Sequence, residues 1–174
     1  MQKETDKMKR KKDEVRDEEG SAIFQYADGS VYEGKVGRRE APIEVPHGMP
    51  PLVASPPQKG QQQQEPSNTI SFQQGKGAFK DAGGAVYKGS WSDGAMSGEG
   101  MLQFPSGAIY IGGFRSNDFY GTGMYKWPDG SYYEGQWESN KMHGLGTYVD
   151  AQGKRWLGKF FRGQGVNLLA EVNL

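Results

Sequence analysis

The sequence predicts an all-β fold: an elongated, single-layer antiparallel meander of about five repeats, two strands to each. Three observations point there. The pattern Gly-x-x-aromatic-x-Gly-x-aromatic recurs every 23 residues, at Gly84/Tyr87/Gly89/Trp91, Gly107/Tyr110/Gly112/Phe114, Gly130/Tyr133/Gly135/Trp137 and Gly153/Trp156/Gly158/Phe160. A glycine pair closes each unit at the same period: Gly75/Gly77, Gly98/Gly100, Gly121/Gly123 and Gly144/Gly146. Turn sequences such as Pro105-Ser106-Gly107 and Pro128-Asp129-Gly130 separate the short apolar runs. A fixed period without gaps marks a repeat architecture, in which function belongs to an extended surface rather than a pocket.

Residues 1–20 hold seven basic and seven acidic side chains, with Lys9-Arg10-Lys11-Lys12 the one like-charge block, and read as a charged flexible tail. Residues 21–38 read as the first half of repeat 1. Phe24-x-Tyr26-Ala27-Asp28-Gly29-Ser30-Val31-Tyr32-Glu33-Gly34 aligns with the run that starts at Tyr125, and the alignment ends at Val36. Residues 39–74 carry Pro42, Pro46, Pro50, Pro51, Pro56, Pro57 and Pro66 together with Gln61 to Gln64. Such a stretch has few apolar groups to bury and few backbone donors to pair, so it is expected to be a flexible insertion in repeat 1. Residues 75–165 form the uninterrupted array. The closing glycines then give way to Asn167 and Leu169, so residues 166–174 read as a terminal cap, strand or short helix.

Within a unit, Leu102-Gln103-Phe104 leads through Pro-Ser-Gly into Ile109-Tyr110-Ile111-Gly112-Gly113-Phe114, a hairpin signal. Ser116-Asn117-Asp118 then supplies the next turn. Tyr87, Gly89 and Trp91 stand at i, i+2 and i+4 and share one face of their strand. The glycine leaves a slot between two rings, expected to be filled from the neighbouring hairpin by a side chain such as Phe79 or Leu102.

The units running from Tyr133-Glu134-Gly135-Gln136-Trp137 to Lys141-Met142-His143-Gly144-Leu145-Gly146 resemble the MORN (membrane occupation and recognition nexus) repeat, Tyr-x-Gly-x-Trp followed by a turn and Gly-x-Gly. The resemblance spans residues 75–165 and, in part, 24–36. It implies an array with a concave groove that receives a partner helix or another copy of the array. Axonemal and cytoskeletal members are common in that family, which implies a cytoplasmic place in a cilium, flagellum or other cytoskeletal assembly.

Little in the chain suggests catalysis. It has no cysteine for a disulfide, thiolate ligand or thiol nucleophile. His47 lies in the Pro-rich segment and His143 before a closing glycine, too few for a triad or a metal centre. The Gly-x-Gly pairs recur in every repeat and lead into strands, whereas a phosphate loop opens one helix once. Gly89, Gly98, Gly100, Gly112, Gly121, Gly123, Gly135, Gly144, Gly146 and Gly158 therefore read as structural glycines. Net charge is zero, which draws the chain to no nucleic acid. No apolar run reaches the length of a membrane span, and the charged N-terminal stretch is unlike a secretory signal.

The expectation is a non-enzymatic scaffold without cofactor or metal that binds protein partners through an aromatic groove. Tyr87, Trp91, Tyr110, Phe114, Tyr133, Trp137, Trp156 and Phe160 are the candidate groove residues, with the alternative that they are the core of a thin sheet. A second expectation is peripheral attachment to anionic phospholipid. The array holds ten basic and eight acidic side chains, and Lys141, Lys154, Arg155, Lys159 and Arg162 gather late in it. Exposed end strands could also pair two copies into a homodimer unless the cap prevents it.

Overall fold

A computed structural model describes residues 20–40 and 69–171. Among these residues there are eleven strands and no helix: β1 (Gly20–Gln25), β2 (Val31–Glu40), β3 (Thr69–Lys80), β4 (Val86–Ser92), β5 (Ala95–Gln103), β6 (Ile109–Arg115), β7 (Asp118–Lys126), β8 (Tyr132–Glu138), β9 (Lys141–Val149), β10 (Arg155–Phe161) and β11 (Gln164–Ala170). They lie in chain order in one open antiparallel sheet with β1 and β11 at its edges. Among the described residues, 20–37 and 72–171 form one compact unit. Residues 38–40 and 69–71, where β2 ends and β3 begins, fall outside that unit.

The two turn classes follow from their residues. Gly29, Gly84, Gly107, Gly130 and Gly153 each donate a backbone N–H to the carbonyl three residues back and sit at φ of 82 to 92°, where glycine is favoured. In the first and fourth of these turns the Asp28 and Asp129 carboxylates accept the N–H of Ser30 and Ser131, both at 2.9 Å. On the opposite margin Asp93-Gly94, Ser116-Asn117, Ser139-Asn140 and Arg162-Gly163 have positive φ at both positions, the conformation of two-residue hairpin loops. Each of these loops also clamps the hairpin before it. The N–H of Gly94, Asn117, Asn140 and Gly163 goes to the carbonyl of Gln73, Met96, Phe119 and Met142, respectively. Asn117 and Asn140 add their side-chain carbonyls, which accept the N–H of Met96 and Phe119 at 2.8 Å, 21 residues upstream.

Three expectations meet the structure here. Residues 166–170 of the expected cap are strand, the end of β11, and residues 172–174 of it lie outside the described residues. The proposed insertion is bounded more narrowly than 39–74, because residues 39–40 and 69–74 belong to β2 and β3; the alternating Ile70 and Phe72 extend β3, and Phe72 lies over Gly37. The expected tail, 1–20, overruns by one residue, because Gly20 opens β1; residues 1–19 and 41–68 lie outside the described residues.

An aromatic face over a glycine floor

Register brings the glycines together. Gly77 pairs with Gly89, Gly89 with Gly100, Gly100 with Gly112, Gly112 with Gly123, Gly123 with Gly135, Gly135 with Gly146 and Gly146 with Gly158. The result is a continuous glycine row across β3 to β10 with no side chain on it. Gly98, Gly121 and Gly144 have a different role. They sit at φ of 62 to 77°, where β5, β7 and β9 slip register against β4, β6 and β8, and so serve β-bulges that increase local twist.

The slot over the glycine floor is filled by the strand's own tyrosine, not by Phe79 or Leu102. Tyr87 leans along β4 over Gly89 and Gly100 and donates its hydroxyl to the Ser90 carbonyl at 2.8 Å. Tyr32, Tyr110 and Tyr133 do the same toward Lys35, Gly113 and Gln136, at 2.5, 2.9 and 3.1 Å. A tyrosine is long enough to cross the glycine at i+2 and reach the carbonyl at i+3, which fixes the ring flat on the backbone. Burial disfavours the phenolate, so the Tyr87 and Tyr133 hydroxyls are pushed up to about 12 and that of Tyr110 well above its ordinary value.

In three units the ring at i+4 stands edge-on between two such tyrosines, and in the last it meets one. Trp91 meets Tyr32 at 5.3 Å and Tyr87 at 5.2 Å; Phe114 meets Tyr87 at 5.0 Å and Tyr110 at 5.2 Å. Trp137 meets Tyr110 and Tyr133, both at 5.3 Å, and Phe160 meets Tyr133 at 4.7 Å. All seven contacts are T-shaped, the arrangement a ring quadrupole favours. The Trp137 indole N–H donates to the Gly123 carbonyl at 3.0 Å. Among the described residues no buried side-chain polar atom lacks a partner.

Seven of the eight candidate groove rings are therefore packed inside, from 0% exposed at Tyr110 to 7% at Trp91. Trp156, at the tyrosine position of the last unit, is half-buried, with Lys154 Nζ 4.3 Å above its ring. An indole has no hydroxyl to cross Gly158, and Leu168 of β11 covers that glycine instead. The terminal strand thus supplies the missing lid.

Between the buried tyrosines, on the same face, Phe79, Leu102, Tyr125 and Tyr148 stand half-buried, one on each of β3, β5, β7 and β9. Phe104 and Trp127 flank them, with ring centroids 5.9 and 4.9 Å from that of Tyr125. These accessible side chains are absent from the expected groove set. Their signal was in the sequence, since 79, 102, 125 and 148 recur at the array period, just before each turn. Among the described residues no group of three or more His, Cys, Asp or Glu is arranged to hold a metal ion.

The MORN repeat family matches residues 87–109, 110–132 and 133–155, each match opening on one of the buried tyrosines. The chain carries three consecutive MORN repeats. A search of curated proteins found no match. In this MORN array the periodic residues of the repeat have separate physical tasks: tyrosine as lid, the following glycine as floor, tryptophan or phenylalanine as spacer between lids.

Proposed function

We propose that this MORN array is a non-enzymatic scaffold that binds a protein partner across its aromatic face. The buried rings make the floor, and Phe79, Leu102, Tyr125 and Tyr148 make the contact row. The observation that carries this reading is the spacing of that row. Strands lie about 4.8 Å apart, so one accessible apolar side chain per two strands recurs about every 10 Å. An α-helix laid across the strands advances about 10.5 Å in seven residues, so a helix with one apolar residue per heptad meets one contact per repeat. The tyrosine hydroxyls are already bonded to the backbone, which leaves an apolar floor suited to such a helix. A site in a ciliary or flagellar axoneme, or another cytoskeletal assembly, is proposed on the family resemblance.

The test places a photo-crosslinking residue at 125 on the aromatic face and at 111 on the opposite face, in ciliated cells. Capture at 125, but not at 111, of a cytoskeletal protein through a heptad-patterned segment is the expected result. Equal capture from both faces, or capture only at 111, removes the aromatic face from the function. A second reading, attachment to anionic phospholipid, is favoured by one observation on that opposite face: exposed apolar side chains interleaved with cations on β9 to β11.

A further inference from the structure

The two edges of the sheet are built differently. β11 is blunted: Asn167 sits at φ of 50°, the register against β10 slips between Leu157 and Lys159, and Leu168 turns over Gly158 and Gly165. A bulge of this kind breaks the row of free backbone groups that another chain needs for pairing. β1 has no such device. Gly20-Ser21-Ala22-Ile23-Phe24-Gln25 carries no charge, no proline and no residue at positive φ, and its pairing with β2 runs without a slip. At 6 residues it has an ordinary strand length, so brevity does not protect it either.

Register decides which groups this edge offers. The Tyr26 N–H donates to the Ser30 carbonyl at 3.0 Å, and bonded positions alternate along an antiparallel pair. Phe24 with Tyr32, Ala22 with Gly34 and Gly20 with Val36 are therefore the bonded pairs. The N–H and C=O of Ser21, Ile23 and Gln25 point away from β2, and among the described residues no strand lies on that side. The side chains of these three residues are exposed on the outer face, with Ile23 at the centre. Ala22 and Phe24 belong to the aromatic face, where the Phe24 ring stacks on Tyr32 at 5.8 Å.

We infer that β1 pairs edge to edge with β1 of a second copy, antiparallel about a twofold axis that passes beside Ile23 normal to the sheet. This goes beyond the scaffold reading and does not depend on it. The edge is its own complement. With Ile23 opposite Ile23 of the other copy, Ser21 meets Gln25 on both sides of the axis, and each of these pairs exchanges two backbone hydrogen bonds. On the aromatic face small Ala22 lies opposite large Phe24, and the reverse, so the rings do not collide across the junction. No charge meets its like, since the strand has none. An unrelated strand could take the same backbone groups; the match of small with large about one axis selects a second copy. An axis normal to the sheet also keeps both aromatic faces on one side, so the two copies present a continuous surface.

The test is sedimentation equilibrium of the full chain over a concentration series, comparing the wild type with Ile23→Lys and Leu169→Lys. Ile23→Lys sets two ammonium groups against each other at the axis. Within one copy the new side chain faces Glu33 across β2, so the fold is kept, as tryptophan fluorescence will check. Leu169→Lys places the same charge on exposed β11. The expected result is a dimer whose dissociation constant rises about tenfold or more with Ile23→Lys and is unmoved by Leu169→Lys. Because the chain has no cysteine, Ile23→Cys supplies a single thiol. Bonded antiparallel partners stand about 5.5 Å apart at Cα, within disulfide reach, so mild oxidation should link two copies of Ile23→Cys but not of Leu169→Cys. A wild type that is monomeric throughout, a dimer indifferent to Ile23→Lys, a dimer abolished by Leu169→Lys, or equal cross-linking at both positions overturns the proposal.

Discussion

Consider Gly100→Ala. Gly100 has an ordinary backbone conformation, so any cost must come from space rather than from φ. A Cβ built there falls 2.5 Å from Tyr87 Oη, 2.6 Å from Cε2 and 2.7 Å from Cζ. The ring cannot simply withdraw. Its hydroxyl is bonded to the Ser90 carbonyl, and Trp91 and Phe114 close on it at 5.2 and 5.0 Å. Overpacking of this kind costs about 1–3 kcal/mol, and loss of the hydroxyl bond about 0.5–1.5 kcal/mol more. The sum, about 1.5–4.5 kcal/mol, is a large part of the stability of an ordinary domain. With an m value near 2 kcal/mol/M, a loss of about 3 kcal/mol moves the urea midpoint down by roughly 1.5 M, followed through the buried tryptophans. Gly107→Ala is the control. Gly107 sits at φ of 90° with nothing within 4 Å of a new Cβ, so only the left-handed backbone is penalised, by about 1–2 kcal/mol. A third variant, Tyr87→Phe, unties the ring, and in that background Gly100→Ala should cost about 1 kcal/mol less than in the wild type. If Gly107→Ala proves as damaging as Gly100→Ala, or Tyr87→Phe brings no relief, the tyrosine lid does not explain the glycine floor.

Asn140→Gly retains the positive φ of the hairpin loop and removes the side-chain carbonyl that caps Phe119; a loss of about 1 kcal/mol and faster amide exchange at Phe119 are expected. Raising the pH should destabilise the array from about pH 10 upward. The unfolded chain releases its tyrosine protons near 10.0, while folded Tyr87 and Tyr133 hold theirs to about 12, so their contribution is intact below pH 10 and drains away between those values. A urea midpoint that stays flat across that range would contradict the burial argument. Asp28 and Asp129 act in the other direction. Hydrogen bonds from Ser30 and Ser131 hold both carboxyls below their ordinary range, so Asp129→Ala should loosen its turn at neutral pH and have little effect at a pH low enough to protonate the carboxylate, as read by thermal unfolding at the two pH values.

The meander was legible in the sequence because its signals are local. Turn residues, an alternating face and a strict period place β3 to β10 without reference to anything distant. The alternative between groove and core at the aromatic stripe was not decidable from spacing. Tyr110 and Tyr125 belong to the same face and differ in burial because the first has a glycine two residues on and a carbonyl within reach at Gly113, while the second leads into a turn. That depends on a side-chain rotamer, which periodicity does not encode. The cap was similarly hidden. Leu168 reads as one more apolar residue until the register brings it over Gly158, in place of the hydroxyl that Trp156 lacks.

The loop-to-hairpin clamps span a fixed 21 residues, and the glycine row advances by one strand at every pairing. The length of this protein is therefore a quantised variable. Excising residues 110–132 would join Ile109 to Tyr133 and leave every lid, spacer and clamp a partner of the right kind, whereas removing one residue more or fewer would turn each downstream ring to the opposite side of the sheet. Such a molecule behaves as a ruler with one graduation per repeat. Whole graduations can be added or lost by duplication or deletion, while the distance between its two ends changes by a constant step.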